Sequence, residues 1–317
     1  MKTDYRIGTR KSKLAQIQAD YVIARLQEEY PDKHFEKVLM ETRGDLDRKT
    51  DLVKMGGQGV FVKAIQEALL TGEIDMAVHS AKDLPSVEPL GLTLGAFPQR
   101  MPVGDSLILR GPYDSLADLP TGAVVGTSSR RRRFQLGAQR PDLKLVPLRG
   151  NIDTRLDKLA SGEYDGIIMA QAGLRRYGLP VKERGLTEFP LPETTFLPAV
   201  GQGAIAVECR ENAVEAELLQ KIDDLPVRQA VTCERAFLAV FGLGCNVPLA
   251  GYARYDKAEA REKLLFTGQL GDEATGKVIE IQSEVYRHEI DEHQIMPEML
   301  GKTVAEKIRK QADFLPK

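Results

Sequence analysis

Tryptophan is absent from this chain, and its 317 residues include only three cysteines and four histidines. Each shortage removes a class of protein. Cys209, Cys233 and Cys245 cannot all pair and lie too far apart for a CxxC zinc knuckle, so reduced thiols are expected. His34, His79, His288 and His293 form no HExxH pair and no spacing that includes a cysteine, so no metal is expected. No stretch reaches the ~18 uncharged apolar residues of a membrane span, and MKTDYRIGTRKSKLAQ has no apolar signal core. A cytoplasmic protein without membrane contact is the expectation. A charge excess is missing too, since 44 Lys and Arg against 46 Asp and Glu leave a net −2. Nucleic-acid binders favour a basic domain and exposed aromatics for stacking, so no nucleic-acid partner is expected. What is present, 42% hydrophobic and 28% charged residues, is ordinary globular composition at a length for two or three domains.

The most informative positive feature is a weak internal repeat. YRIGT (5–9) and AVVGT (123–127) both read as short strands ending in Gly-Thr and leading to a helix. METRGD (40–45) and VPLRGN (146–151) end second strands in Arg-Gly-Asp and Arg-Gly-Asn. TGEIDMAVHSAKDL (71–84) and SGEYDGIIMAQAGL (161–174) each join a helix end to an apolar strand and a polar loop. Three landmarks in the same order predict two similar α/β domains, each with a mostly parallel sheet. Open α/β sheets bind ligands at the carboxyl ends of their strands. Thr9, Arg10, Ser12, Lys82 and Asp83 are therefore expected on one wall of an interdomain cleft, and Thr127, Ser128, Ser129, Arg149 and Asn151 on the other. After residue 200 come a further apolar strand (199–210), an amphipathic helix closed by glycine (227–242), three consecutive strands and a last helix around 297–312. That order predicts a third, smaller α+β domain with an antiparallel sheet.

GTSSRRRRFQLG (126–137) places four arginines in the first turn of a helix capped by Ser128 or Ser129. The positive pole of the helix dipole lies there, so the arginines cost stability unless an anion is near. Successive helical residues point about 100° apart, so two of the four are expected to face the cleft. A solvated basic face or surface ion pairs would also account for the run. Arg149 and Arg155 favour the cleft, because they converge on the same wall. In HSAKDLPS (79–86), Asp83 is placed to act on developing positive charge or to move a proton; a loop salt bridge is the other possibility. The long glycine-rich connection 44–59 suits either a lid over the cleft or a surface loop. Of the three thiols, Cys209 and Cys233 fall in apolar segments, whereas Cys245 stands on a glycine turn, GLGCNVP, where a covalent anchor is conceivable.

Taken together, RIGTRKSKLA, GDLDRKTDLVKMGGQGVFVKAIQEALL, DMAVHSAKDLP, GTSSRRRRFQL, LRGNIDTRLDKL, MAQAGLRR, FLPAVGQGAIAVECR and GLGCNVPLAGYA resemble the porphobilinogen deaminase family from residue 6 to about 255. The resemblance implies two periplasmic-binding-protein-like α/β domains (1–99 with 200–218, and 100–199) flanking a cleft, and a C-terminal α+β domain (219–317) with a three-stranded antiparallel sheet. It implies a cytoplasmic, monomeric transferase that condenses four porphobilinogen molecules with loss of ammonia into hydroxymethylbilane, a linear tetrapyrrole for haem and related pigments. The chain would grow on a covalent dipyrromethane cofactor held as a thioether by Cys245. Each pyrrole carries an acetate and a propionate, which gives the arginines a polycarboxylate to bind.

Carried over residue by residue, Lys82, Asp83, Thr127, Ser129, Arg131, Arg132 and Arg155 are expected at the cofactor. Arg10, Ser12, Phe61, Ser128, Arg149, Gly150, Arg176 and Gln202 are expected at the substrate. Asp83 matches the catalytic carboxylate that stabilises the pyrrole cations and the azafulvene-like species formed as ammonia leaves. Arg130 and Arg133 fall outside the family's motif and are read as solvated or structural, and Gln58 replaces a lysine frequent between the lid glycines. A two-domain solute-binding or ligand-sensing protein for a polycarboxylate is the competing class; it explains the duplicated walls but gives Cys245 no role.

Overall fold

The computed structural model describes residues 2–41, 62–178, 181–242, 247–256, 262–293 and 296–315. Alternation of apolar and polar residues places the first strand, β1 (Asp4–Arg10), with Tyr5 and Ile7 buried and Arg6 between them exposed. Helix α1 (Lys13–Glu29) follows, with Ser12 accepting a hydrogen bond from the Ala15 amide as its N-cap. It buries Gln18, Ala19, Val22 and Leu26, one stripe at helical spacing, onto the sheet. β2 (His34–Met40), α2 (Lys63–Leu70), β3 (Met76–Ser80) and β4 (Leu92–Ala96) complete the first half.

The second half repeats the plan with β5 (Asp105–Arg110), β6 (Val124–Gly126), α3 (Arg130–Gln139), β7 (Lys144–Val146), α4 (Ile152–Ala160), β8 (Gly166–Ala170), α5 (Gln171–Tyr177) and β9 (Leu186–Leu191). β10 (Ile205–Arg210) then returns to the first sheet. The sheet orders, β2-β1-β3-β10-β4 and β7-β6-β8-β5-β9, are the same topology twice. The repeat seen in the sequence is thus a repeat of structure.

Both sheets are mostly parallel, as expected, with one reversed strand in each. In the first, β1 pairs in parallel with β2 and β3, while β10 runs antiparallel to β3 and β4. In the second, β6 is parallel to β7 and β8, and β5 antiparallel to β8 and β9. The reversed strands are the two that enter from the other half of the molecule. Their direction is set by crossing segments and not by a local strand-helix-strand crossover. The two crossing segments meet in an isolated bridge between Arg100 and Ala204.

Beyond α6 (Val214–Gln220), α7 (Leu225–Phe241) starts with an Asp224 cap and ends at Gly242 in the left-handed region. β11 (Leu249–Asp256), β12 (Lys263–Gly271) and β13 (Val278–Tyr286) form an antiparallel sheet, followed by α8 (Arg287–His293) and α9 (Pro297–Gln311). Phe237 on α7 meets Phe266 edge-on at 5.1 Å between ring centres, at the middle of the third core. At Gly301 on α9 an added Cβ would come within 2.0 Å of the Cys233 carbonyl, so glycine lets the two helices touch.

One buried ion pair ties this unit to both crossing segments. Glu234 on α7, fully buried, accepts from Arg100 (2.8 Å) and from the amides of Gly201 (2.7 Å) and Ala253 (2.8 Å). Arg100 in turn donates to the carbonyls of Gln202 (3.2 Å) and Ala253 (3.3 Å).

Candidate active site

The carboxyl end of β3 runs into a short 3₁₀ turn, Ala81–Asp83, which carries Lys82 and Asp83. The Ala81 amide donates to the Ala204 carbonyl, and Gly201 lies against this turn. Gly201 has φ +71°, and a Cβ there would stand 3.0 Å from the Lys82 nitrogen, so only glycine brings the crossing segment this close. Asp83 lines a pocket with Arg10, Ser12, Gln18 and Ser80. The Ser80 and Gln18 side chains hold each other at 3.0 Å. Arg10 and Ser12 thus stand beside Asp83, as expected. Thr9 instead is fully buried and its hydroxyl donates to the Ala15 carbonyl, which makes it part of the α1 entry.

On the opposite wall Ser129, not Ser128, caps α3 by accepting from the Arg132 amide. Ser128 is taken up structurally: its hydroxyl donates to the Leu148 carbonyl (2.9 Å) and accepts from the Leu148 amide (3.0 Å). Thr127 is buried and accepts from the Ser129 amide, while Asn151 caps α4. Arg149 is half-buried on the loop before that cap, and the exposed Gly150 offers its carbonyl to Arg155 Nε at 2.8 Å.

The four arginines divide as their 100° separation requires. Arg131 and Arg132 are buried, Arg133 is exposed, and Arg130 reaches Glu273 at 3.0 Å in a half-exposed ion pair. Sequence reasoning missed what the buried pair holds. Asp105, fully buried at the start of β5, takes Arg131 on one oxygen (2.7 Å) and Arg132 on the other (2.6 Å). The anion that the helix terminus calls for is therefore partly supplied by the protein. The one signal for it is an acid opening an otherwise apolar strand, DSLILR.

Gln202 is buried beneath the cleft. It donates to Asp105 (2.9 Å) and to the Val103 carbonyl (2.7 Å), and accepts from Lys82 Nζ at 3.4 Å. Arg176 donates to the Gly203 carbonyl at 2.7 Å. The Nε atoms of Arg131, Arg132 and Arg176 are buried without a hydrogen-bond partner.

Electrostatically the site is a crowd of cations around few anions. Burial pushes the Arg155 guanidinium down to about 10, reinforced by Arg132 and opposed by Asp83. Burial lowers Arg176 to about 10. Lys82 is pushed down to about 8 by burial and by Arg132 and Arg131, against the carboxylates of Asp83 and Asp105. Burial alone would raise Asp105, but its two guanidiniums hold it well below the usual carboxylate range. Such an arrangement is built to receive carboxylates.

Cys209 and Cys233 are completely buried, and burial pushes the Cys209 thiol up to about 11 and Cys233 well above its ordinary value. Neither is a ready nucleophile. Cys245, Phe61, Gln58 and the 44–59 connection lie outside the described residues. Among the described residues, no group of histidine, cysteine and acidic side chains could hold a metal ion, and no helix is long and apolar enough to cross a membrane.

Residues 5–218 match the family profile described as porphobilinogen deaminase, dipyromethane cofactor binding domain, and residues 228–310 match the porphobilinogen deaminase C-terminal domain. The chain belongs to the porphobilinogen deaminase family. It is 50% identical over 254 residues to a porphobilinogen deaminase of Geobacillus sp. (strain WCH70), covering 80% of each chain. To that of Streptococcus sanguinis (strain SK36) it is 49% identical over 250 residues, 78% of this chain and 81% of the relative. The Bordetella pertussis BvgS periplasmic VFT2 domain aligns in structure with a TM-score of 0.44 at 19% identity, over 69% of this chain and 86% of that one. Within the family match, both profile segments end before or begin after the short 219–227 stretch that leads into α7.

Proposed function

We propose that this chain condenses four porphobilinogen molecules, with loss of ammonia at each addition, into the linear tetrapyrrole hydroxymethylbilane. The observation that carries this reading is the cation-rich cluster of Lys82, Arg131, Arg132 and Arg155 around Asp83 and Asp105, on a chain matched to this family over nearly its whole length. The residues fit the dipyrromethane that the family binds. The buried Nε–H groups of Arg131, Arg132 and Arg176 have no partner, and burial together with crowding already strains the charge on Lys82 and Arg155. Carboxylates of a pyrrole chain would satisfy both deficits.

Arg131, Arg132, Arg155 and Lys82, with Thr127 and Ser129 at the helix entry, are the residues we assign to the cofactor. Arg10, Ser12, Ser128, Arg149, Gly150, Arg176, Gln202 and Phe61 are assigned to substrate. Ser128 and Gln202 act there through the backbone and side chains that they hold. When bound, the cofactor supplies the nucleophilic pyrrole carbon from which the product is extended. Arg10 and Ser12, beside the start of α1, hold the acidic arms of the incoming porphobilinogen against Asp83. The Asp83 carboxylate is aimed at the positive charge that develops as the aminomethyl nitrogen leaves, and surrounding protein limits the water that could screen it. Of the three thiols, Cys245 is the one left to form the thioether, since the other two are buried and held protonated. A division at 1–99 with 200–218, 100–199 and 219–317, a monomeric state and a cytoplasmic location complete the proposal.

The experiment is single-turnover ammonia release from holoenzyme. Asp83→Asn is expected to retain fold and cofactor mass and to release ammonia roughly 10²-fold more slowly. Near-wild-type release would make Asp83 a loop salt-bridge partner and overturn its role.

A further inference from the structure

We propose that Asp105 is a positioning residue that ties the two cleft walls together and sets the charge carried by Lys82. The inference rests on the deaminase reading only for what that charge is used for. Asp105 opens β5 in the second sheet, and each of its groups is engaged. One carboxylate oxygen takes Arg131, the other takes both Arg132 and the Gln202 amide, and the main-chain carbonyl accepts from Gln171 at the start of α5. Gln202 lies on the crossing segment between sheets, and its amide oxygen accepts from Lys82 on the turn after β3 in the first sheet. A continuous polar chain therefore runs from α3, through Asp105 and Gln202, to the residue preceding Asp83.

Two consequences follow from that placement. Arg131 and Arg132 are adjacent buried cations; their mutual repulsion would turn them apart without a shared counter-ion, and with it both are held in fixed, two-donor geometry. Arg131 donates also to the Leu197 carbonyl and Arg132 to that of Ile168, so each guanidinium keeps its Nε–H for a ligand. The second consequence concerns Lys82. Among the described residues, the charged groups around it include Asp83 on its own turn, Asp105 on β5, and Arg131 and Arg132 on α3. Burial and the two arginines expel its proton, and the two carboxylates retain it. Removing the charge of Asp105 takes away one of the carboxylates that retain this proton, so Lys82 must lose it at lower pH.

The test follows Lys82 itself. The pH dependence of its trapping by trace acetic anhydride, read by peptide mass spectrometry on purified holoenzyme, gives its midpoint of titration. Asp105→Asn is expected to lower that midpoint by about one unit, a tenfold loss of proton affinity. Asp105→Glu, which keeps the charge, is expected to restore most of it. Gln202→Met leaves both arginine pairs intact but removes the amide that bridges Asp105 and the Val103 carbonyl to Lys82; a smaller fall in the same direction is expected. It carries the test if Asp105→Asn does not fold. An unmoved Lys82 midpoint in folded Asp105→Asn, or in Gln202→Met, overturns the inference, because a merely structural carboxylate would lower the melting temperature and leave Lys82 where it was. Wild-type enzyme that made no tetrapyrrole would instead sink the deaminase reading, without touching this one.

Discussion

Arg132 and Arg133 are neighbours in one helical turn, yet one is buried against Asp105 and the other faces solvent. Their substitution separates roles that the bare run of arginines conceals. Arg133→Leu is expected to change neither stability nor product formation measurably. Arg149→Leu, half-buried and outside the Asp105 pairing, should slow product formation per cofactor-loaded enzyme with little loss of stability. Arg132→Leu should do both, because it also strips one partner from a buried carboxylate, at a cost of about 3–5 kcal/mol in chemical unfolding. Equal effects at all three positions would contradict this division. The separation of the run was legible in the sequence, since helical geometry forces it. Asp105 was not, because a buried carboxylate between two guanidiniums depends on β5 being brought beside α3 by the fold, and its one local mark, an acid opening the strand, does not name its partners. The roles of Ser128 and Gln202 were hidden for the same reason: their positions were found, but their bonds to Leu148 and Asp105 are long-range.

The elements and the direction of most strands were legible, but not the one reversed strand in each sheet. β1 carries its own signal in alternating burial, α1 and α3 in serine caps, and α7 in a closing glycine. The antiparallel entry of β10 and β5 into the sheets has no such signal, because strand direction follows from where the chain last crossed between halves. The contact of α7 with α9 shows the converse, a single residue fixing how two elements meet. Gly301→Leu must push α9 off the Cys233 carbonyl, and overpacking of this kind typically costs about 1–3 kcal/mol, occasionally more. The expected result is a lower unfolding midpoint with Lys82 and Asp83 undisturbed. An unchanged midpoint would mean that the helices can separate freely.

Across the whole molecule, Glu234 and Arg100 join the C-terminal unit to both crossing segments between the two sheets. Burial already raises the Glu234 carboxyl above its ordinary value, with Arg100 opposing. Arg100→Leu removes that opposition, so the folded state binds a proton more tightly than the unfolded one. The variant should therefore lose about 3–5 kcal/mol, and more at pH 8 than at pH 5, because stability falls with rising pH wherever the folded state holds more protons. A pH-independent loss would show that the charge of Glu234 is irrelevant to the junction. The duplicated halves and the third unit were legible in the sequence; the ion pair that joins them, made from residues far apart in the chain, was not. All of these parts acquire a common purpose only if the cleft holds a covalent pyrrole chain. Intact-mass spectrometry of the purified protein, with Cys245→Ser and Cys233→Ser alongside, tests that most directly. The wild type and Cys233→Ser are predicted to carry the added mass of one dipyrromethane, and Cys245→Ser to be folded, inactive and of unmodified mass. Full activity without the added mass, or the same adduct on Cys245→Ser, would contradict it.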